Sequence, residues 1–182
     1  TNIAAGTKIL VVAPQPAAKE IAKKFAEDYK LFFVTERWLA GILTNYKTIS
    51  ARIEYFKKLK SDRITGRHEK YTKKERLLID REIENLDLFF HGIEDMIALP
   101  KAILMIDPVL HETAAREAVR LKIPVIAFMN SDSDPTSVKY GVPGNASAGQ
   151  SIKWFFESLD AACKDVKNIA PAPVVAPVVA PK

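Results

Sequence analysis

The chain has 182 residues, of which 48% are hydrophobic and 27% are charged, so it is long enough for a globular domain with a core. No apolar stretch approaches the roughly 18 residues of a membrane-spanning helix. No basic-then-apolar leader marks the chain for export, and the single cysteine, Cys163, excludes an internal disulfide and fits a reducing compartment. We therefore expect a cytoplasmic protein.

The net charge of +5 is distributed unevenly. Between Tyr46 and Arg81 the chain carries twelve Lys or Arg and five Asp or Glu, a net charge of +7, and the remainder carries −2. Charge runs are usually solvated helical surface. An excess confined to one fifth of the chain nevertheless favours a polyanionic partner.

Short apolar runs bounded by turn residues predict five strands. In chain order they are TKILVVAP (7–14), LFFV (31–34), AILMI (102–106), IPVIAFMN (123–130) and VKYGV (138–142). Apolar residues at helical spacing predict helices after the first, third and fifth runs. These residues are Ala18, Ile21, Ala22, Phe25 and Tyr29; Ala114, Ala115, Ala118 and Val119; and Ile152, Phe155, Phe156, Leu159 and Cys163. The alternation predicts a mostly parallel, doubly wound α/β sheet.

More than sixty residues separate the second and third strands, which is too many for one crossover helix. The apolar positions Ile49, Ile53, Phe56 and Leu59 predict a first helix, and the polar stretch 61–71 predicts a turn. Thr72 and Glu75 have the spacing of a capping box at the start of a second helix.

A heptad pattern runs along that second helix, at Ile79, Ile83, Leu86, Phe90, Ile93 and Ile97. From Thr72 to Ile97 the helix would be roughly 39 Å long. We therefore predict an inserted antiparallel α-helical coiled-coil hairpin that stands off the α/β body and carries most of the positive excess.

The usual signatures of nucleotide sites are absent from the sequence. The first strand–helix turn, APQPA (13–17), has no glycine, and neither the dinucleotide-binding nor the P-loop motif occurs. His111 and Glu112 near Asp107 are interpreted as groups at a helix N-terminus, with His111 exposed, and SDSDP (131–135) as a turn. No nucleophile, base and orienting group converge at the level of the sequence, and we expect no metal and no cofactor.

The stretch RWLAGILTN (37–45) predicts the joint at which the insertion leaves the sheet. Gly41 permits a close approach of the backbone, and Thr44 or Asn45 can cap the following helix. Trp38 is either a core residue or a platform on which a base stacks. Arg37 either braces the junction or reaches a phosphate.

Several segments in order resemble bacterial-type small-subunit ribosomal proteins of the S-two family, covering roughly residues 6 to 165. The segments are RWLAGILTN with Lys47-Thr48-Ile49, TKKE (72–75), GIEDM (92–96), LPKAILMIDP (99–108), HETAAREAVRLKIPVIAFMNSDSDP (111–135) and VPGN (142–145). The inserted hairpin is typical of the bacterial or organellar branch. The chain begins too late for the N-terminal segment usual in the family, and it has Ala40 and His91 where the family usually has smaller residues.

The resemblance implies a Rossmann-like (flavodoxin-like) sheet with the hairpin, and a structural, non-catalytic role in the small ribosomal subunit. Its implied partners are small-subunit ribosomal RNA and neighbouring ribosomal proteins, including the large multi-OB-fold protein that captures messenger RNA, with no membrane. The alternatives from the residues alone are a protein-interaction module that uses the hairpin, or a small-molecule enzyme at the carboxyl edge of the sheet.

The candidate RNA-binding residues are chosen by charge and position. They are Arg37, Trp38, Asn45, Lys47, Arg52, Lys57, Lys58, Lys60, Arg63, Arg67, Lys73 and Lys74. We expect an α/β domain of residues 1–45 and 98–166, the hairpin at 46–97, and a disordered Ala/Pro/Val-rich tail at 167–182.

Overall fold

The computed structural model describes residues 8–66 and 71–168, with the backbone alone for residues 166–168. Its sheet contains strands β1 (Ile9–Val12), β2 (Phe32–Val34), β3 (Ala102–Ile106), β4 (Val125–Met129) and β5 (Tyr140–Pro143). All pairings are parallel and the order is β2-β1-β3-β4-β5. This is the flavodoxin-like order, so the predicted parallel α/β sheet is confirmed.

Five α-helices connect and flank the strands in the part of the chain that the structure describes. They are α1 (Pro16–Asp28), α2 (Tyr46–Ile64), α3 (Lys73–Phe90), α4 (Glu112–Arg120) and α5 (Gly149–Asn168). Short 3-10 turns cover His91–Ile93 and Pro135–Ser137. Because α5 continues to Asn168, the helix includes the first two residues of the predicted tail, and the rest of that tail lies outside the described residues.

The sheet has a helical layer on each face, because alternate residues of a strand point to opposite sides. Ile9 and Val11 of β1 pack in one cluster with residues of α1 and α5, such as Phe25 and Phe156. Leu10 and Val12 belong to the other cluster, which contains parts of α2, α3, α4 and the 37–45 stretch. Helices α2 and α3 are therefore joined to the sheet through a shared apolar core.

The second inserted helix is shorter than the heptad pattern predicts. It ends at Phe90, which gives a length of about 27 Å, and Ile97 is 92% exposed rather than on the apolar seam. The helix gives way to the His91–Ile93 turn, which brings Gly92 against Phe33 of β2. The prediction was wrong here because periodicity carries no information about where the chain must turn back to the sheet.

Candidate nucleic-acid interface

Helices α2 and α3 contribute buried apolar residues to one shared cluster. Ile53 and Phe56 of α2 and Ile83 and Phe90 of α3 are all at most 5% exposed. The rings of Phe56 and Phe90 lie 6.5 Å apart between centroids. These contacts fix the sides of the two helices that face solvent.

The start of α3 is fixed by the predicted capping box, which is confirmed. The Glu75 amide donates to the Thr72 hydroxyl at 3.4 Å, and the Thr72 amide donates to the Glu75 carboxylate at 2.9 Å. These bonds satisfy amides that the helix itself leaves without partners. Hydrogen bonding from the Thr72 amide and hydroxyl lowers the pKa of Glu75, with a small opposing effect of burial.

Lys60 occupies the space between the two inserted helices. Its ammonium lies 2.9 Å from Asp87 and 3.0 Å from Glu94, and 4.2 Å from the centroid of the Phe56 ring. Burial disfavours its charge, but the hydrogen bonds and attraction of the two carboxylates outweigh burial and raise its pKa. Lys60 therefore has partners within the protein, although it was selected as an RNA-binding residue.

Two further selected cations are also paired. Lys57 lies 3.2 Å from Asp95, and the Nε atom of Arg63 lies 3.2 Å from Asp80. Both pairs are solvent-exposed, so their attraction is modest and an external phosphate could compete for the cation.

The remaining selected cations form what we call the free basic surface. Within the described part of the chain, no carboxylate lies within 4 Å of these side chains, and all of them are exposed. They are Arg37, Lys47, Arg52, Lys58, Lys73 and Lys74. Lys47 and Lys58 are eleven residues apart, so they share one face of α2. Arg67 lies outside the described residues.

Lys73 and Lys74 occupy the first turn of α3. Cations are disfavoured there by the helix dipole. Their position is therefore not explained by the stability of the helix, and it is compatible with an external anion.

Trp38 and Asn45 have local structural roles. Trp38 is 9% exposed and its indole Nε1 donates to Glu117 at 3.1 Å, so it belongs to the core rather than to a stacking surface. Asn45 occupies the N-cap position of α2, and its side chain accepts from the Thr48 hydroxyl without capping the backbone. We therefore remove Trp38 from the candidate RNA-binding residues.

A buried carboxylate, which sequence analysis missed, organises the 37–45 stretch. Glu117 of α4 is 8% exposed and accepts five hydrogen bonds from that stretch. Four of the five donors belong to residues 41–44. The donors are the Trp38 indole, the amides of Gly41, Leu43 and Thr44, and the Thr44 hydroxyl, at 2.8 to 3.1 Å. We call this arrangement the Glu117 clamp. Its only sequence signal is a glutamate beside the buried Ala114, Ala115 and Ala118.

The charged form of Glu117 is favoured in spite of its burial. Burial alone raises the pKa of Glu117. The hydrogen bonds from Gly41, Trp38, Thr44 and Leu43 together lower this pKa by more than burial raises it, so the net shift is downward. Gly41 has φ of +98°, a conformation that glycine adopts readily and other residues adopt at a cost. The glycine thus lets its amide turn towards the carboxylate.

Polar groups lie at the carboxyl edge of the sheet, after β3 and β4. His111 is half-buried, not exposed as expected, and its Nε2 atom, like the buried Ser133 hydroxyl, has no hydrogen-bond partner. Burial lowers the pKa of His111 against the attraction of Asp107. A groove of about 670 Å³ lies between α4 and the 132–137 loop, and neither His111 nor Ser133 lines it.

The structure also shows where the remaining sequence motifs lie. Asp134 accepts from the amide and hydroxyl of Thr136, so SDSDP forms the predicted turn. Cys163 is buried. Across residues 8–66 and 71–168, no group of three or more His, Cys, Asp or Glu has the arrangement of a metal site. In the same residues, none of the helices is long and apolar enough to cross a membrane.

Comparison with known proteins gives the family. The sequence profile of the family described as Ribosomal protein S2 matches residues 1–166. The chain is 41% identical over 158 residues to small ribosomal subunit protein uS2 of Actinobacillus pleuropneumoniae, covering 87% of this chain and 66% of the relative. The protein of the same name from Saccharophagus degradans is 42% identical over 156 residues, or 86% and 63% of the two chains.

The uS2 protein of Bradyrhizobium diazoefficiens is 40% identical over 164 residues, which is 90% of this chain and 50% of the relative. The chain thus spans between half and just under two thirds of the length of these relatives. The family match at residues 1–166 includes the strands of the sheet, α2, α3 and the 37–45 stretch. The chain belongs to the ribosomal protein S2 family.

Proposed function

We propose that this chain is a structural, non-catalytic constituent of the small ribosomal subunit, and that it works in the cytoplasm by binding small-subunit ribosomal RNA. The observation that carries the proposal is the free basic surface, of which every cation except Arg37 lies on α2 or α3, in a chain of a ribosomal protein family. Exposed cations without carboxylate partners are available to neutralise phosphates, with release of counterions from the RNA.

The proposed contacts are ranked by whether each cation already has a partner. Arg37, Lys47, Arg52, Lys58, Lys73 and Lys74 come first, because phosphate binding costs them no internal ion pair. Lys57 and Arg63 would exchange an exposed carboxylate for a phosphate. Lys60 has two carboxylates and an aromatic ring around it, so we assign it to holding α2 on α3. Such contacts read the shape of RNA more than its sequence.

We also propose that α2 and α3, within an insertion of residues 46–97, form an antiparallel coiled-coil hairpin on an α/β domain of residues 1–45 and 98–166. The pairs Lys60–Asp87 and Arg63–Asp80 support this arrangement, since later positions of α2 meet earlier positions of α3. Knobs-into-holes packing of the apolar seam would hold the two helices together.

A second role, the docking of neighbouring ribosomal proteins, is favoured by apolar residues on the outer side of α3. Leu77 and Leu88 are 51% and 57% exposed and are eleven residues apart, so they share one face. An exposed apolar stripe of this kind suits a protein partner. We propose that such partners include the large multi-OB-fold protein that captures messenger RNA.

The test is a comparison of two triple charge reversals with matched change in net charge. Lys58→Glu/Lys73→Glu/Lys74→Glu alters the free basic surface, and Lys24→Glu/Lys101→Glu/Arg120→Glu alters exposed cations elsewhere. Binding to small-subunit ribosomal RNA is measured over a range of salt concentrations. We expect the first variant to reduce the slope of log K against log salt by about two to three, because each lost phosphate contact removes a little under one. Equal losses in both variants would mean that overall charge, and not this surface, governs binding.

A further inference from the structure

The 37–45 stretch leads directly into α2, the helix that carries Lys47, Arg52 and Lys58 of the free basic surface. The Asn45 amide donates to the Gly41 carbonyl at 2.8 Å, and α2 begins at the next residue, Tyr46. Ile42 and Leu43 are 1% exposed and lock the turn into the core. The orientation of residues 41–45 therefore sets the direction in which α2 leaves the body.

Glu117 holds this turn through five hydrogen bonds. Its Oε2 atom accepts from the amides of Leu43 and Thr44 and from the Thr44 hydroxyl, and its Oε1 atom accepts from Gly41 and Trp38. Five donors converge on one carboxylate, so their relative positions are fixed by a single side chain. Removing the carboxylate would leave buried donors without partners, which is costly, so the turn would rearrange to reach water.

We propose that Glu117 is a positioning residue for RNA binding: through the 37–45 turn it fixes the direction of α2 and so aligns Lys47, Arg52 and Lys58 with the phosphates that they contact. This inference rests on the proposed function. Glu117 itself is buried and negative, so it touches no RNA and acts only through the turn. A residue of α4, a helix that packs on the sheet, thereby controls the orientation of cations on α2.

The experiment compares Glu117→Gln with Glu112→Gln, an exposed residue of the same helix. Both substitutions remove one negative charge, which by itself strengthens binding to RNA. We expect Glu117→Gln to bind small-subunit ribosomal RNA at least about fivefold more weakly, against the direction of the charge change. We expect Glu112→Gln to bind as well as the unaltered chain or slightly better. Hydrogen exchange at the amides of Gly41, Leu43 and Thr44 should accelerate only in Glu117→Gln.

Two further variants separate positioning from general stability. Ile152→Ala removes a buried side chain from the opposite face of the sheet, and it should lower the melting temperature while leaving the RNA affinity of the folded protein unchanged. Thr44→Val removes one donor from the clamp and keeps the fold, so it replaces Glu117→Gln if that variant does not fold, with a smaller loss of affinity expected.

Three results of these experiments would contradict the inference or the proposed function. Accelerated exchange of the three amides with unchanged RNA affinity would overturn the inference and leave the clamp with a structural role alone. Equal weakening by Ile152→Ala would overturn it too, since any loss of stability would then suffice. Failure of the unaltered chain to bind the RNA would refute the proposed function itself, and the two failures are thereby distinguished.

Discussion

Substitution of Gly92 by alanine should destabilise the fold where the insertion returns to the sheet. A Cβ atom at this position would lie 2.1 Å from the Phe33 carbonyl oxygen and 2.5 and 2.7 Å from carbons of the Phe33 ring. An ordinary contact begins near 3.4 Å, so the turn or β2 must move by about 1 Å. One obstacle is backbone in a strand that pairs with β1, and it cannot move without disturbing that pairing.

The expected cost is at the upper end of the range for overpacking, about 3 kcal/mol, or a fall in melting temperature of roughly 6–12 °C for a chain of this size. Urea unfolding followed by far-ultraviolet circular dichroism measures it. Gly149→Ala is the control, because its Cβ would meet nothing closer than the Ala17 carbonyl at 3.9 Å, and it should be neutral or stabilising by up to about 1 kcal/mol. A Gly92→Ala variant within about 0.5 kcal/mol of the parent would refute the close approach on which this reasoning depends.

Three further predictions concern the core and the charges of the insertion. The pKa of Glu117 is lowered in the folded state, so the stabilisation that its charge provides is present above the ordinary pKa of 4.5 and is lost as the pH falls through the folded-state pKa. In urea titrations, the difference in unfolding free energy between the parent and Glu117→Gln should therefore shrink from about pH 7 to about pH 3. A difference that stays constant would argue against an ionised clamp. Lys60→Ala should cost about 1–2 kcal/mol and Lys58→Ala under about 0.5 kcal/mol by the same assay, since only Lys60 has carboxylates and a ring around it; equal costs would contradict the assignment. Phe56→Ala should cost about 3–5 kcal/mol, because Phe56 is fully buried where α2 meets α3, and a cost under 1 kcal/mol would place the insertion outside the common core.

Four strands of the parallel sheet, β1 to β4, could be predicted from the sequence because they are short, apolar and almost wholly buried, whereas the edge strand β5 is largely exposed. AILMI (102–106) coincides with β3, and β1, β2 and β4 lie within their predicted runs, while β5 (Tyr140–Pro143) ends one residue beyond the predicted run 138–142. The capping box at Thr72 could also be predicted from the sequence, because its two partners, Thr72 and Glu75, are only three residues apart in the chain. In each case the information is local.

Other features depend on contacts between distant segments and were not predictable. Ile97 continues a heptad pattern, yet α3 stops seven residues earlier because the chain must turn towards β3 at Gly92. Lys58 and Lys60 are alike in sequence, and only the position of α3 makes one free and the other paired. The Glu117 clamp joins residues more than seventy positions apart, so no local pattern revealed it.

The measurement that tests the central claim most directly is sedimentation of a lysate containing the tagged chain on sucrose gradients at low and high salt. A full-length uS2 protein from a relative, run in parallel, marks the fractions that contain small subunits. The account predicts that the chain travels with small subunits at low salt and dissociates as salt rises, because phosphate contacts hold it there. A chain that remains with free proteins at the top of the gradient at every salt concentration, while the relative sediments with the subunits, would contradict it.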